Sequence, residues 1–218
     1  MKREPTRAIL EATLRLVARG GVDAVRYRDV AAEADVPLGT VSYRYPNRED
    51  LIRAAFTFFL ADNAASLLAH RSRSALATLD DIAAFIAEVV RADFADSRRP
   101  YLAEYELVVY AGRDPAIAEA LVAWDRETVG ELARMLERVG VPAPIAAAQT
   151  LVDLLRGFQL ANLGRKDRDV ADFRARVTHV LHALAAQPAS PSPLDRPPRR
   201  SPSSRRTRAS HGRRTQPR

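Results

Sequence analysis

The chain has 218 residues, 47% of them hydrophobic, with 9 glycines and a formal charge of +7, enough chain to bury a sizeable core. It has no cysteine, which excludes disulfides, thiolate nucleophiles and Cys-ligated zinc or iron–sulfur centres. No run approaches the ~18 apolar residues of a membrane span, and Glu4, Glu11 and Arg15 interrupt the stretch that a secretory leader needs apolar, so a cytoplasmic protein is expected.

Strand-like alternation does not persist anywhere in residues 1–186; helical periods recur instead, and the expected fold class is all-α. The first helix is predicted over 6–19, with Ile9, Leu10, Leu14 and Val17 inward, stopped by Gly20-Gly21. A short second helix over 28–34 buries Val30, Ala31 and Ala34. The next stretch, DVPLGTVSYRYPNRED (35–50), carries a third helix between Pro37 and Pro46; the second proline ends it, because the residue before a proline is pushed out of the α region. Asn47 is a candidate N-cap for a fourth helix over 48–69, with Glu49 and Asp50 in its first turn. Later helices are predicted near 79–96, 100–112, 115–139, 143–163 and 170–186.

The positive charge is unevenly placed. Residues 187–218 hold nine arginines against Asp195 alone, a charge of +8, which leaves +7 − 8 = −1 for residues 1–186. Seven of the 14 prolines fall in the same segment and apolar residues nearly vanish. Such a segment buries too little surface to offset its ordering entropy, so a disordered tail is expected. It reads either as a solvated appendage or as a polycation that adds nonspecific affinity for DNA phosphates, RNA or acidic proteins.

Two short helices joined by a tight turn and braced by a longer one make a helix-turn-helix unit. Asp35 is the turn residue, a type that tolerates the left-handed conformation. Val36 and Val41 can point back into the core, while small Gly39, Thr40 and Ser42 allow close approach to DNA. Leu38 offers an apolar contact to a thymine methyl. Tyr43 and Arg44 can reach phosphates, and Arg48 would reinforce an amide-rich anion site at the fourth helix's start. Arg28, opening the second helix, could grip a phosphate or a guanine edge. Tyr45 completes the Val41 face and reads as core.

The window RDVAAEADVPLGTVSYRYPNREDLI (28–52) resembles the DNA-binding segment of TetR-family transcriptional regulators, and the likeness extends over about residues 6–56. Asp35 stands where that family usually has glycine, Pro37 where it often has serine, Ser42 where tyrosine is frequent and Arg26 where threonine is frequent. The resemblance implies a helix-turn-helix domain over 1–47, a helical effector-binding and dimerisation domain over 48–186 and the tail over 187–218. It implies that Arg28, Leu38, Gly39, Thr40, Ser42, Tyr43 and Arg48 face double-stranded DNA, with a palindromic operator bound by a homodimer that a small effector releases.

The same resemblance places the dimer on the last two helices, whose apolar stripes are Leu151, Leu154, Leu155 and Phe158, then Phe173, Val177, Val180, Leu181 and Leu184. For the effector, Phe85, Phe94, Tyr101, Tyr105, Tyr110, Trp124 and Phe158 spread aromatics over the central helices. Singly each reads as core packing; together they would suit a small, largely apolar ligand, with Gln159 and Asn162 as polar contacts. Glu104 and Glu106 could meet a cationic group but read as solvated.

An enzyme has little support. His179 and His182 share a helix face, but no HExxH and no third ligand accompany them. Phosphate-cradling glycine loops, a G-x-S-x-G elbow and paired-carboxylate motifs are absent, so no metal or cofactor is expected. A helical adaptor with a nucleic-acid-binding tail is the rival to a regulator.

Overall fold

A computed structural model describes residues 4–71, 76–95, 101–165 and 167–187, with side chains undescribed at 64–71 and 101. The expected tail beyond 187 lies outside the described residues. Those described are helical with turns and no strand: α1 (Pro5–Gly20), a 3₁₀ turn (Val22–Ala24), α2 (Tyr27–Ala34), α3 (Leu38–Arg44), α4 (Arg48–Arg71), α5 (Leu79–Ala95), α6 (Tyr101–Ala111), α7 (Pro115–Arg138), α8 (Pro144–Ala161) and α9 (Val170–Ala185). The all-α expectation holds, and each predicted helix is present within two residues of its expected ends.

Local chemistry explains the boundaries. Pro5 opens α1, where a missing N–H costs nothing. Gly21 closes it at φ +70°, its N–H donating to the Val17 carbonyl at 2.8 Å. Asp35 ends α2 in the left-handed region (φ 54°, ψ 50°). Its N–H donates to Ala32 and that of Val36 to Ala31, at 3.3 and 3.0 Å, the paired bonds of a Schellman closure. Asn47 caps α4 by accepting from the Asp50 N–H at 2.8 Å and donating its own amide to the Asp50 carboxylate at 2.7 Å.

Two apolar cores organise the molecule. One gathers α1, α2 and α3 with Leu51–Leu60 of α4, Ala103, Leu107 and Ala111 of α6, and Ile117. The other joins α5, the second half of α7, α8 and α9. The junction expected at 47/48 is therefore a change of element but not a break in packing, because α4 and α6 complete the first core. Helix α6 lies between the two: one face packs on α1, and Tyr105 donates from another face to the Arg156 carbonyl of α8 at 3.1 Å. Arg53 of α4 pairs with buried Asp114 at 3.0 Å, and Asp114 also caps α7 by accepting from Ala116 and Ile117. Both links cross from the N-terminal unit to the rest of the chain.

Candidate nucleic-acid interface and polar cluster

Helix α3 is anchored by one side chain and presents the rest. Val41 is fully buried, whereas Leu38 is 43% and Tyr43 89% exposed. Gly39 and Ser42 are also exposed and Thr40 is half-buried. The Ser42 hydroxyl back-bonds to the Leu38 carbonyl at 3.3 Å, leaving its lone pairs outward. Tyr43 does not pack on α4. Arg44 is exposed and donates one N–H to the Thr6 hydroxyl of α1 at 2.6 Å, which orients the guanidinium and leaves its other donors available. Arg28 is exposed at the start of α2.

The scaffold under these side chains is polar as well as apolar. Glu33 of α2 accepts from Arg19 and from Arg15 of α1, and the hydrogen bond from Arg19 is the main reason its carboxyl is held below the ordinary range. The Tyr27 hydroxyl donates to the Tyr45 carbonyl at the end of α3, and Tyr45 packs on the N-terminal core as expected. Arg48 departs from its expected role. Its guanidinium turns inward and donates to the carbonyls of Val25 (3.0 Å) and Val22 (2.5 Å), with Asp23 at 3.4 Å. Those donors close the 3₁₀ turn onto α4 and are not free for a phosphate.

The residues expected around an effector fall into separate places. Trp124, Tyr105 and Gln159 come together: the Arg156 guanidinium lies over the Trp124 ring at 5.4 Å, and Tyr105 donates to Arg156 and approaches the Gln159 amide oxygen at 3.3 Å. Phe85 instead lines an apolar cleft of about 60 Å³ with Met135 and Leu155 between α5, α7 and α8. Phe158 stacks on Phe173 at 4.3 Å and, with Asn162, borders a groove of about 880 Å³ where α8 meets α9. Tyr110 packs against the N-terminal core. The side chain of Tyr101 lies outside the described residues.

The cluster around Tyr105 also holds charges the sequence reading missed. Gln159 donates to Asp93 of α5 at 2.9 Å, and Arg156 pairs with Asp125 of α7 at 2.6 Å. Glu104, expected in solvent, sits deep beside Asp93 and Arg156; burial first, and then the charge of Asp93, push its carboxyl up to about 7. A signal existed: YLAEYELVVYA is apolar on nearly every face, so a carboxylate within it has little chance of reaching water. Glu106 is exposed as expected, and its carboxylate lies over Gly21 at the end of α1. Asp93, Asp125 and Arg156 gave no such signal, because charges on amphipathic helices usually face outward.

The apolar stripes of α8 and α9 need correction as a partner surface. Leu151, Phe158, Val177 and Leu181 are buried within the chain's own core, and Leu155 lines the inner cleft. They cannot be offered to a second copy without unpacking the protomer. Leu154, Val180 and Leu184 stay half-buried at the rim, and Leu160 is 55% exposed beside exposed Gly157 and Ala161. His179 and His182 are exposed, with His182 near Asp80 at 3.4 Å.

Comparison with known proteins fits this geometry. The chain matches the model of bacterial regulatory proteins of the tetR family over residues 9–55, and the tetracyclin repressor-like C-terminal domain over 77–187. The HTH-type transcriptional repressor KstR of Mycobacterium tuberculosis is 31% identical over 117 residues, which cover 54% of this chain and 51% of that protein. The HTH-type nicotine-responsive transcriptional repressor HdnoR of Paenarthrobacter nicotinovorans is 27% identical over 113 residues, 49% of this chain and 54% of that one. The chain thus spans about half the length of these curated relatives. The crystal structure of the multidrug binding protein EbrR complexed with ethidium superposes with a TM-score of 0.63 at 29% identity, covering 81% of this chain and 98% of the other. With its family models spanning both the α1–α3 reader and the helices behind it, the chain belongs to the TetR family of bacterial regulatory proteins, which are transcriptional regulators and not enzymes.

Proposed function

We propose that the protein is a ligand-responsive repressor that binds a palindromic operator as a homodimer and is released by a small molecule held among α5–α8. The observation that carries the DNA-binding half is α3: a helix pinned by Val41 that leaves Leu38, Gly39, Ser42 and Tyr43 facing solvent. Two such helices one DNA turn apart, about 34–36 Å, would enter successive major grooves. Ligand response is supported by the likeness to a nicotine-responsive repressor and to a protein crystallised with ethidium. Helix α6 is the candidate transmitter. It touches α8 through Tyr105, the α1 core through Ala103 and Leu107, and the Gly21 turn through Glu106. Moving operator occupancy from 99:1 to 1:99 needs about 5.5 kcal/mol of differential affinity.

Sites selected from a random DNA pool should be palindromic. On such a site Tyr43→Ala should bind at least about tenfold more weakly, the loss of roughly 1.4 kcal/mol of contact, with unchanged helicity. A fully exposed tyrosine contributes nothing to the fold, so wild-type affinity in that variant would remove α3 as the reader.

The dimer is assigned to the outer faces of α8 and α9, around Leu154, Gly157, Leu160 and Leu184. A Cβ added at Gly157 meets nothing within 4 Å. Gly157→Gln should therefore leave the protomer folded and add about 0.5–1 kcal/mol of helix propensity, while its bulk holds the two α8 helices apart. Light scattering should show mass falling from twice the 24.1 kDa protomer to one. A variant that stays dimeric would place the interface elsewhere.

A further inference from the structure

Helix α3 is too short and too lightly packed to hold its own direction. It has 7 residues, against the ~12–15 that an isolated helix needs to be even marginal in water. Gly39 and Ser42 are poor helix formers, and the Ser42 hydroxyl turns back onto the Leu38 carbonyl. Val41 is its one fully buried side chain. A single anchor fixes the depth of a helix and leaves it free to pivot, so the direction of α3 has to be set at its ends.

The N-terminal end is set by backbone, through the paired bonds of Asp35 and Val36 onto α2. At the other end two hydroxyls from different helices take over. Tyr27, the first residue of α2, is half-buried against the N-terminal core and donates to the carbonyl of Tyr45, the residue at which α3 stops. No backbone donor among the described residues reaches that carbonyl. Thr6, in the first turn of α1, accepts from the Arg44 guanidinium at 2.6 Å. Tyr43 is 89% exposed, so its aim is inherited from the backbone between Val41 and these two tied residues.

We propose that the Tyr27 and Thr6 hydroxyls clamp the C-terminal end of α3 and are positioning residues for operator recognition, acting through Tyr45 and Arg44 rather than on the bases. The inference rests on the reading of α3 as the DNA-facing helix and adds the residues that aim it. A recognition constellation works only when held within about 0.5 Å of its productive geometry. Nonspecific binding rests on phosphate charge and tolerates a tilted helix, whereas contact with base edges does not. The clamp therefore sets the ratio of operator to nonspecific affinity, which a merely structural hydroxyl leaves alone once the protein is folded.

Tyr27→Phe removes one oxygen and keeps the ring in the core; Thr6→Val keeps the shape at Thr6 and removes the acceptor. Each is titrated with the selected operator and with a duplex of scrambled sequence, at one salt concentration and below its own melting transition. Tyr27→Phe should bind the operator about tenfold more weakly and the scrambled duplex within about twofold of wild type. Thr6→Val should move the same ratio in the same direction by about threefold, and it serves if Tyr27→Phe misfolds. The double variant Tyr27→Phe with Tyr43→Ala separates aiming from an unrelated loss. Independent sites multiply their factors to within about twofold; a clamp that acts through α3 leaves the double variant no more than about threefold below Tyr43→Ala alone. Wild-type operator affinity in folded Tyr27→Phe, or in Thr6→Val should Tyr27→Phe misfold, overturns the clamp. Equal losses on operator and scrambled duplex overturn it too, as does full multiplication in the double variant. Tyr43→Ala at wild-type affinity is the separate failure: it removes the reading of α3 on which the clamp rests, whereas a weakened Tyr43→Ala beside an unaffected Tyr27→Phe removes the clamp alone.

Discussion

Arg48→Ala should lose about 2 kcal/mol of stability and weaken operator binding without changing how steeply that binding depends on salt. The reason is where the guanidinium points. It donates to the carbonyls of Val25 and Val22, both buried residues at the 3₁₀ turn between α1 and α2. Removing it strands the Val25 carbonyl at a half-buried corner, at about 1–3 kcal/mol, takes one of two donors from the Val22 carbonyl, which keeps the Val25 N–H at 3.1 Å, and loosens the turn that sets α2 and α3 against α4. A phosphate ligand would behave differently. Each phosphate contact adds about 0.9 to the slope of log affinity against log salt, so losing one per protomer in a dimer would lower the slope by about 1.8. Arg48→Lys separates the roles further: an ammonium can meet a phosphate, but a single point donor does not reproduce a planar fork spanning two carbonyls. Denaturant unfolding and operator titration across salt decide between them. A shallower salt slope in Arg48→Ala, with rescue by lysine, would return Arg48 to the DNA surface.

Asp114→Ala should lower the melting temperature by about 5–10 °C, while Asp114→Asn should melt near wild type. Asp114 is 5% exposed, accepts from Ala116 and Ile117 at 3.1 and 3.2 Å, and pairs with Arg53 at 3.0 Å. Alanine removes the cap, at about 0.5–2 kcal/mol, and the partner of Arg53 as well. A total near 2–3 kcal/mol converts at about 2–4 °C per kcal/mol for a chain of this size. Asparagine still caps, so only the ion pair is lost. Arg53 is 44% exposed and regains water, which keeps that loss at about 1 kcal/mol or less. Thermal denaturation of both variants is the check; equal damage from alanine and asparagine would make the charge, not the cap, the stabilising element.

Element identity and the solvent-facing side of α3 were legible in the sequence, for local reasons. Asp35 turns the chain because its own backbone can enter the left-handed region, Pro46 ends α3 by sterics with its immediate neighbour, and Asn47 caps with a side chain two bonds from its own backbone. Period 3.6 placed Val41 inside and Tyr43 outside, because on a short helix against a core the two faces are set by register alone. Direction and partnership were not legible. Arg48 looked like a phosphate ligand because a guanidinium at a helix start has the right charge, and only the fold brings the carbonyls of Val22 and Val25 within its reach. Leu151, Val177 and Leu181 made stripes suited equally to a core or to a partner, since both bury apolar surface by the same physics; the packing of α5 and α7 against them decided. Glu104 is the sharpest case. Its chemistry depends on burial and on Asp93 and Arg156, 11 and 52 residues away along the chain, and a carboxylate's behaviour is set by the charges and water around it rather than by its neighbours in sequence.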